Sequence, residues 1–114
     1  YYVISAIENL GDMRNHILHE TRKSNKSKNQ NKNQGIVLKY SKYIYRIYYS
    51  IGKALDNKTI MNRANKINNL VIPHRKTGDI TKVNFKLLNY ENESIFDYID
   101  TFTKQILKYI ERCI

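Results

Sequence analysis

The sequence has no tryptophan, one proline, one cysteine and no apolar run that approaches 18 residues. A transmembrane helix needs about 20 consecutive apolar residues, and a signal peptide needs an apolar core near its start, so neither is predicted. The single cysteine, Cys113, cannot form an intramolecular bridge, which excludes a disulfide scaffold and favours a reducing compartment. We therefore expect a soluble, cytoplasmic protein.

The length of 114 residues, with 41% of them hydrophobic, is enough for one domain with a modest core. The first residue is Tyr1, and apolar residues at helical spacing follow it at once. We therefore expect residues 1–114 to be a single helical domain and a fragment of a longer protein.

The positive charge is concentrated in the middle of the chain. The formal net charge is +10, and residues 13–86 carry 17 basic residues against three acidic ones, whereas each flanking segment has a charge of −2. A field of this kind attracts polyanions such as nucleic acids. The alternative is a solvated face that only keeps the protein soluble.

Helical periodicity covers most of the chain. It predicts helices over residues 2–22, 36–55, 57–72 and 94–113, with a kink or break at Gly11-Asp12 and an end at Pro73. Ser94 and Asp97 have the spacing of a capping box at the start of the last helix. The predicted fold is all-α, a small bundle of about four helices.

Two segments depart from this pattern. Residues 23–35 are almost wholly polar and basic, which predicts a long flexible loop. Within residues 74–90, a Thr-Gly-Asp turn signal precedes alternating apolar residues, the pattern of a short β-hairpin or an extended arm. No internal repeat is visible.

One cluster of residues contains side-chain types that could catalyse a reaction. Asn15, His19 and Arg22 follow one another at helical spacing, and the long side chain of Arg14 can reach the same face. An imidazole beside an amide and two permanent cations suits RNA cleavage, because histidine can move a proton while arginine holds the phosphate. The alternative is that these are ordinary exposed residues, with His19 hydrogen-bonded to Asn15.

The segment Arg14-Asn15-His16-Ile17-Leu18-His19 resembles the Arg-Asn-x-x-x-His signature of the HEPN superfamily of helical RNases. In the abortive-infection branch the signature is similar to Arg-Asn-x-x-x-His-x-x-Arg-x-x-Asn, which Arg22 and Asn25 extend here. The resemblance covers about residues 4–70. The chain departs from that branch at Glu20, where a second histidine is frequent.

The resemblance implies a metal-independent endoribonuclease of toxin or phage-defence type, without a cofactor, that leaves cyclic-phosphate products. The site would be composite, so a homodimer or a second HEPN-like domain is implied, with an antitoxin or a guide RNA as a further partner. Arg14, Asn15 and His19 would be catalytic. Arg22 would contact a phosphate, and we expect the loop lysines to bind RNA beside it: Lys23, Lys26, Lys28 and Lys32.

Other interpretations remain open. His16, His19 and Glu20 lie within one turn but lack a distant fourth ligand, which makes a poor metal site. The tyrosines of the Tyr40–Tyr49 band are expected to pack in a core or a dimer interface rather than stack on bases. Walker, Rossmann, zinc-ribbon and Ser-His-Asp signatures are absent from the sequence. The alternative function is a non-catalytic helical protein that binds nucleic acid or acts as a scaffold.

Overall fold

A computed structural model describes residues 1–23, 30–77, 80 and 83–114, and for residues 22–23, 30–31 and 71–77 it describes the backbone alone. Within these ranges the chain forms five α-helices and one 3-10 helix. The α-helices are α1 (Tyr2–Lys23), α2 (Gln30–Lys39), α3 (Ser41–Leu55), α4 (Lys58–Thr77) and α5 (Ile95–Cys113), and the 3-10 helix is Phe85–Leu88.

Helix α3 lies at the centre of the bundle and contacts α1, α4 and α5. Apolar residues of α3 at spacings of three and four, Ile44, Ile47 and Ile51, are at most 1% exposed, as the periodicity predicts. They pack with the buried faces of the neighbouring helices, among them Ile17 of α1 and Phe102 of α5. The predicted all-α helical bundle is confirmed. None of the helices in the described ranges has the length and hydropathy that a membrane span requires.

Helix α1 is continuous through Gly11, so the predicted break at Gly11-Asp12 is wrong. Glycine costs a helix roughly 1 kcal/mol relative to alanine. Leu10 and Met13 on either side of Gly11 are buried in the core, and burying one such side chain contributes about 1.5–3 kcal/mol. Tertiary burial therefore outweighs the local preference.

The predicted loop over residues 23–35 is too long, because α2 begins at Gln30 and Asn33 is only 4% exposed. The predicted single helix from Ile36 to Leu55 is also wrong, since it is divided at Tyr40. Tyr40 has φ −103° and ψ 13°, outside helical values. The buried Ser41 hydroxyl donates a hydrogen bond to the Leu38 carbonyl at 2.6 Å, a local bond that competes with the helix.

Helix α4 begins within one residue of its predicted start, and the Asn57 side chain caps it by accepting a hydrogen bond from the Ile60 amide at 3.1 Å. Its predicted end at Pro73 is wrong, since α4 runs to Thr77. A proline inside a helix removes one backbone donor and crowds the carbonyl four residues before it, which usually kinks or ends the helix, but the backbone of α4 stays helical to Thr77.

The predicted β-hairpin near residues 74–90 is wrong in the described part of that segment. Residues 74–77 belong to α4, and Phe85–Leu88 form a 3-10 helix in which Leu88 is buried. Residues 78, 79, 81 and 82 lie outside the described residues. The 3-10 helix packs against α4.

Helix α5 matches its prediction. The Ser94 hydroxyl accepts a hydrogen bond from the Asp97 amide at 3.2 Å, which caps the first turn. One face of α5, comprising Ile95, Ile99, Phe102 and Ile106, is at most 3% exposed.

Candidate functional site

The predicted catalytic residues Arg14, Asn15 and His19 lie on the solvent-facing side of helix α1. Met13 and Ile17 point into the core and are fully buried. Because these two positions fix the rotation of the helix, Arg14, Asn15 and His19 are all exposed.

Asn15 and His19 line one shallow groove on α1, together with His16 and Leu18. Arg14 lines a different groove, formed between α1 and α5, and Leu18 is common to the two. The structure therefore brings Asn15 and His19 together, as their helical spacing predicts. It does not bring Arg14 of the same copy into their groove.

The side chains of Asn15 and His19 form no hydrogen bond or ion pair with another residue in the part of the chain that the structure describes. The hydrogen bond from His19 to Asn15 that the alternative interpretation invokes is not present there, although the exposure of Arg14, Asn15 and His19 agrees with that interpretation. Both side chains face solvent, where a ligand can reach them.

The neighbouring His16 has the tertiary contacts that His19 lacks. Its ring stacks on Tyr40 with centroids 5.7 Å apart and lies 5.8 Å from the ring of Tyr43. The Tyr40 hydroxyl donates a hydrogen bond to Glu20 at 2.5 Å, and Lys39 pairs with the same carboxylate at 3.3 Å. Burial, together with the acceptor Glu20, raises the pKa of Tyr40 to about 12. These contacts hold α1 against the junction between α2 and α3.

The proposed phosphate contacts fall mostly beyond what the structure describes. Arg22 and Lys23 end α1, but their side chains, like Asn25, Lys26 and Lys28 as a whole, lie outside the described residues. Lys32 is exposed on α2. Lys32 therefore belongs to the first turn of α2 and not to the predicted loop.

A second site was not predicted from the sequence. A cavity of about 430 Å³ opens among α3, α4, α5 and the segment after the 3-10 helix. We call it the basic cavity. Its lining residues are Tyr48, Arg63, Asn89, Gln105, Lys108, Tyr109 and Arg112.

Arg63 is fixed at the wall of the basic cavity. Its Nη2 atom donates hydrogen bonds to the Leu87 carbonyl at 3.1 Å and to the Asn89 side chain, and its guanidinium lies 4.8 Å from the centre of the Tyr48 ring. Asn89 Nδ2 in turn donates to the Tyr48 hydroxyl at 2.6 Å. Burial raises the pKa of Tyr48, and Arg63 and Asn89 oppose that rise.

Metal-binding geometry is not found in the described ranges, where no three His, Cys, Asp or Glu side chains converge. This applies to His16, His19 and Glu20, because Glu20 is engaged by Tyr40 and Lys39 instead. The tyrosines Tyr40, Tyr43, Tyr45 and Tyr49 are half-buried against the core and Tyr48 is buried, which fits their predicted packing role.

Comparison with known proteins gives no relative for this chain. No protein-family model, no curated protein and no solved structure matches it.

Proposed function

We propose that the chain is a metal-independent endoribonuclease of HEPN type that acts in the cytoplasm as part of a toxin or phage-defence system. The 2′-hydroxyl of RNA would attack the adjacent phosphorus and the 5′-oxygen would leave, which gives a 2′,3′-cyclic phosphate and a 5′-hydroxyl. His19 would take or give the proton in this step. Arg14 would stabilise the charge on the phosphate, and Asn15 would orient His19 or the phosphate.

The observation that carries this proposal is the exposure of Asn15 and His19 in one groove without a described partner. A histidine used only for packing would be in contact with its neighbours, as His16 is with Tyr40. An exposed imidazole beside an amide is accessible to a strand of RNA, and histidine is a side chain that commonly serves as a general acid or base.

The position of Arg14 supports a composite site. Within one copy Arg14 lines the α1–α5 groove rather than the groove of His19. A second copy that packs beside α1 can supply the arginine that the first copy does not place there. Phe96 and Leu107, each 45% exposed, line the same groove as Arg14 and offer apolar surface for such a partner. An antitoxin or a guide RNA would be a further partner of the assembly.

The test is cleavage of end-labelled single-stranded RNA by the purified chain in excess EDTA. Wild-type protein should cleave, and the products should carry cyclic-phosphate ends. His19→Ala should lower the cleavage rate roughly 10²–10⁴-fold, because it removes a general acid or base. Cleavage that depends on added metal, or that survives in His19→Ala, would contradict the proposal.

The matched control is His16→Phe in the same groove. Phenylalanine preserves a ring against Tyr40 while it removes the imidazole. We expect this variant to cleave RNA at close to the wild-type rate. Circular dichroism of the variants shows whether the helices are retained, so that a loss of folding is not read as a loss of catalysis.

The second candidate is a non-catalytic nucleic-acid-binding protein. The observation that favours it is the basic cavity, which is lined by the three cations Arg63, Lys108 and Arg112. This cavity shares no lining residue with the α1 groove. This candidate predicts RNA binding that His19→Ala leaves unchanged and no cleavage by the wild-type chain.

A further inference from the structure

The basic cavity combines three cations with two amides and two phenols. Arg63 comes from α4, whereas Lys108 and Arg112 come from the last two turns of α5. None of the lining residues, all of which the structure describes, is acidic. Its volume of about 430 Å³ falls within the range of small-molecule sites.

Two tyrosines bring the arginines to the same cavity. The rings of Tyr48 and Tyr109 meet edge to face, with centroids 6.5 Å apart. Arg63 lies over the Tyr48 ring, and Arg112 lies over the Tyr109 ring at 5.9 Å. Aromatic rings attract cations and fix their positions without neutralising them. Both guanidinium groups therefore lie beside a ring that does not pair with their charge.

Among the described residues, Arg63 donates hydrogen bonds to neutral groups and to no carboxylate. Its described acceptors are the Lys86 and Leu87 carbonyls and the Asn89 side chain, and its Nε atom is buried with no hydrogen-bond partner in the described ranges. A partly buried cation without a carboxylate is costly, and an anion that enters the cavity would reduce that cost.

The described ion pairs lie elsewhere. Lys39 pairs with Glu20, and Lys104 pairs with Asp100 on an earlier turn of α5. Within the ranges that the structure describes, Arg63, Lys108 and Arg112 have no such carboxylate partner. Three uncompensated cations around one cavity are an arrangement that an anion stabilises.

We propose that the basic cavity binds the phosphate group of a nucleotide. The forked guanidinium of arginine matches the geometry of phosphate, and a lysine adds a point charge. The half-exposed Tyr109 offers a ring for the base, and the Gln105 amide offers a donor and an acceptor for the base or the sugar. This site is separate from the α1 groove and does not depend on the endoribonuclease proposal.

Isothermal titration calorimetry with AMP tests the site, with adenosine and inorganic phosphate as comparison ligands. We expect AMP to bind, inorganic phosphate to bind more weakly, and adenosine not to bind. Equal binding of AMP and adenosine would overturn a phosphate site, and phosphate as tight as AMP would overturn the role of the base. No binding of AMP at millimolar concentration would overturn the proposal as a whole.

Variants locate the binding in the cavity. Arg112→Gln and Lys108→Gln, both at exposed positions of α5, should each weaken AMP binding, the arginine variant by about tenfold or more because it removes a charge-assisted hydrogen bond. Lys104→Gln is the matched control, since it removes one charge from the same helix outside the cavity. An equal loss in Lys104→Gln would mean general charge attraction and would refute the site.

A short single-stranded RNA added to the AMP complex identifies the source of the phosphate. Displacement of AMP would assign the cavity to a phosphate of a bound strand, and retention of AMP would assign it to a free nucleotide. Either result supports a nucleotide phosphate site. AMP binding is measured without RNA cleavage, so the two proposals are tested independently. Failure of AMP to bind would not contradict the endoribonuclease proposal, and absence of RNase activity would not contradict the nucleotide site.

Discussion

The ring of His16 stacks on the ring of Tyr40, with planes inclined by only 7°. The same tyrosine donates a hydrogen bond to Glu20, one helical turn beyond His16. Tyr40 therefore holds α1 at two successive turns, and His19 lies on the turn between them. The contact fixes the part of α1 on which the proposed catalytic residues are carried.

We expect Tyr40→Phe to lower the free energy of unfolding by about 1 kcal/mol, measured by urea denaturation. The variant loses the hydrogen bond to a carboxylate that is 30% exposed, so the cost lies below that of a fully buried bond. Tyr40→Ala should cost more, because the stacked ring is lost as well. Tyr43→Phe, whose hydroxyl has no hydrogen bond in the described ranges, should be close to neutral.

The raised pKa of Tyr40 gives this contact a pH dependence. Burial and Glu20 raise the pKa from 10.0 to about 12, so the folded state holds the phenol proton more tightly than the unfolded state does. The contribution of the protonated phenol is complete below pH 10 and is lost as the pH rises from 10 to about 12. The difference in unfolding free energy between wild type and Tyr40→Phe should be constant below pH 10 and shrink above it. A tyrosinate absorbance difference between the two proteins centred near pH 10 would contradict this.

Gly52 marks the close approach of α3 and α4. A Cβ atom at this position would lie 2.8 Å from Met61 Sδ and 3.1 Å from the Met61 backbone nitrogen. The sulfur can move, but the backbone of α4 cannot do so without repacking. We expect Gly52→Ala to destabilise the fold by roughly 1–2 kcal/mol, because overpacking exceeds the gain in helix propensity.

Gly11→Ala is the matched control for that substitution. Gly11 is exposed in α1, and a Cβ atom there would meet nothing within 4 Å. Thermal denaturation should show a gain of about 0.5–1 kcal/mol from the better helix former. A loss of stability in Gly11→Ala would contradict the continuous helix through this residue.

Sequence periodicity predicted the helices correctly where the burial of apolar residues and the local helix preference agree. The apolar spacing in α3 and α5 and the cap at Ser94 predict the buried faces and the start of the last helix. The division at Tyr40 was not predicted, because the apolar spacing continues through it and does not reveal the bond from the Ser41 hydroxyl to the Leu38 carbonyl. Gly11 is a weak local signal that the burial of Leu10 and Met13 overrides.

The two candidate sites also differ in how far the sequence alone could predict them. Asn15 and His19 are four residues apart on one helix, so the sequence alone predicts that they share a face. Arg63 and Arg112 are far apart in the sequence, and each resembles an ordinary surface cation when considered alone. Only the packing of α4 and α5 on α3, with Tyr48 and Tyr109 between the arginines, brings them to one cavity.

If the polar stretch of residues 23–35 binds RNA, its lysines should set the salt dependence of binding. Replacing Lys23, Lys26, Lys28 and Lys32 with glutamine should weaken RNA affinity. The slope of the logarithm of the binding constant against the logarithm of salt concentration should fall by roughly 0.7 for each lost contact with a single strand. Fluorescence anisotropy at several salt concentrations measures this slope. An unchanged slope would show that the segment takes no part in binding.

A composite endoribonuclease site should make activity depend on assembly. Leu107 is 45% exposed in the groove that also contains Arg14, so Leu107→Asp should place a charge in the proposed contact between copies without disturbing the core. In analytical ultracentrifugation we expect wild type to form dimers and Leu107→Asp to be monomeric, with RNA cleavage lost and helical content retained. Lys104→Gln, which changes charge in the same groove without blocking apolar contact, should still dimerise. A wild-type monomer that cleaves RNA at full rate would contradict the two-motif site, because one copy does not place Arg14 in the groove of His19.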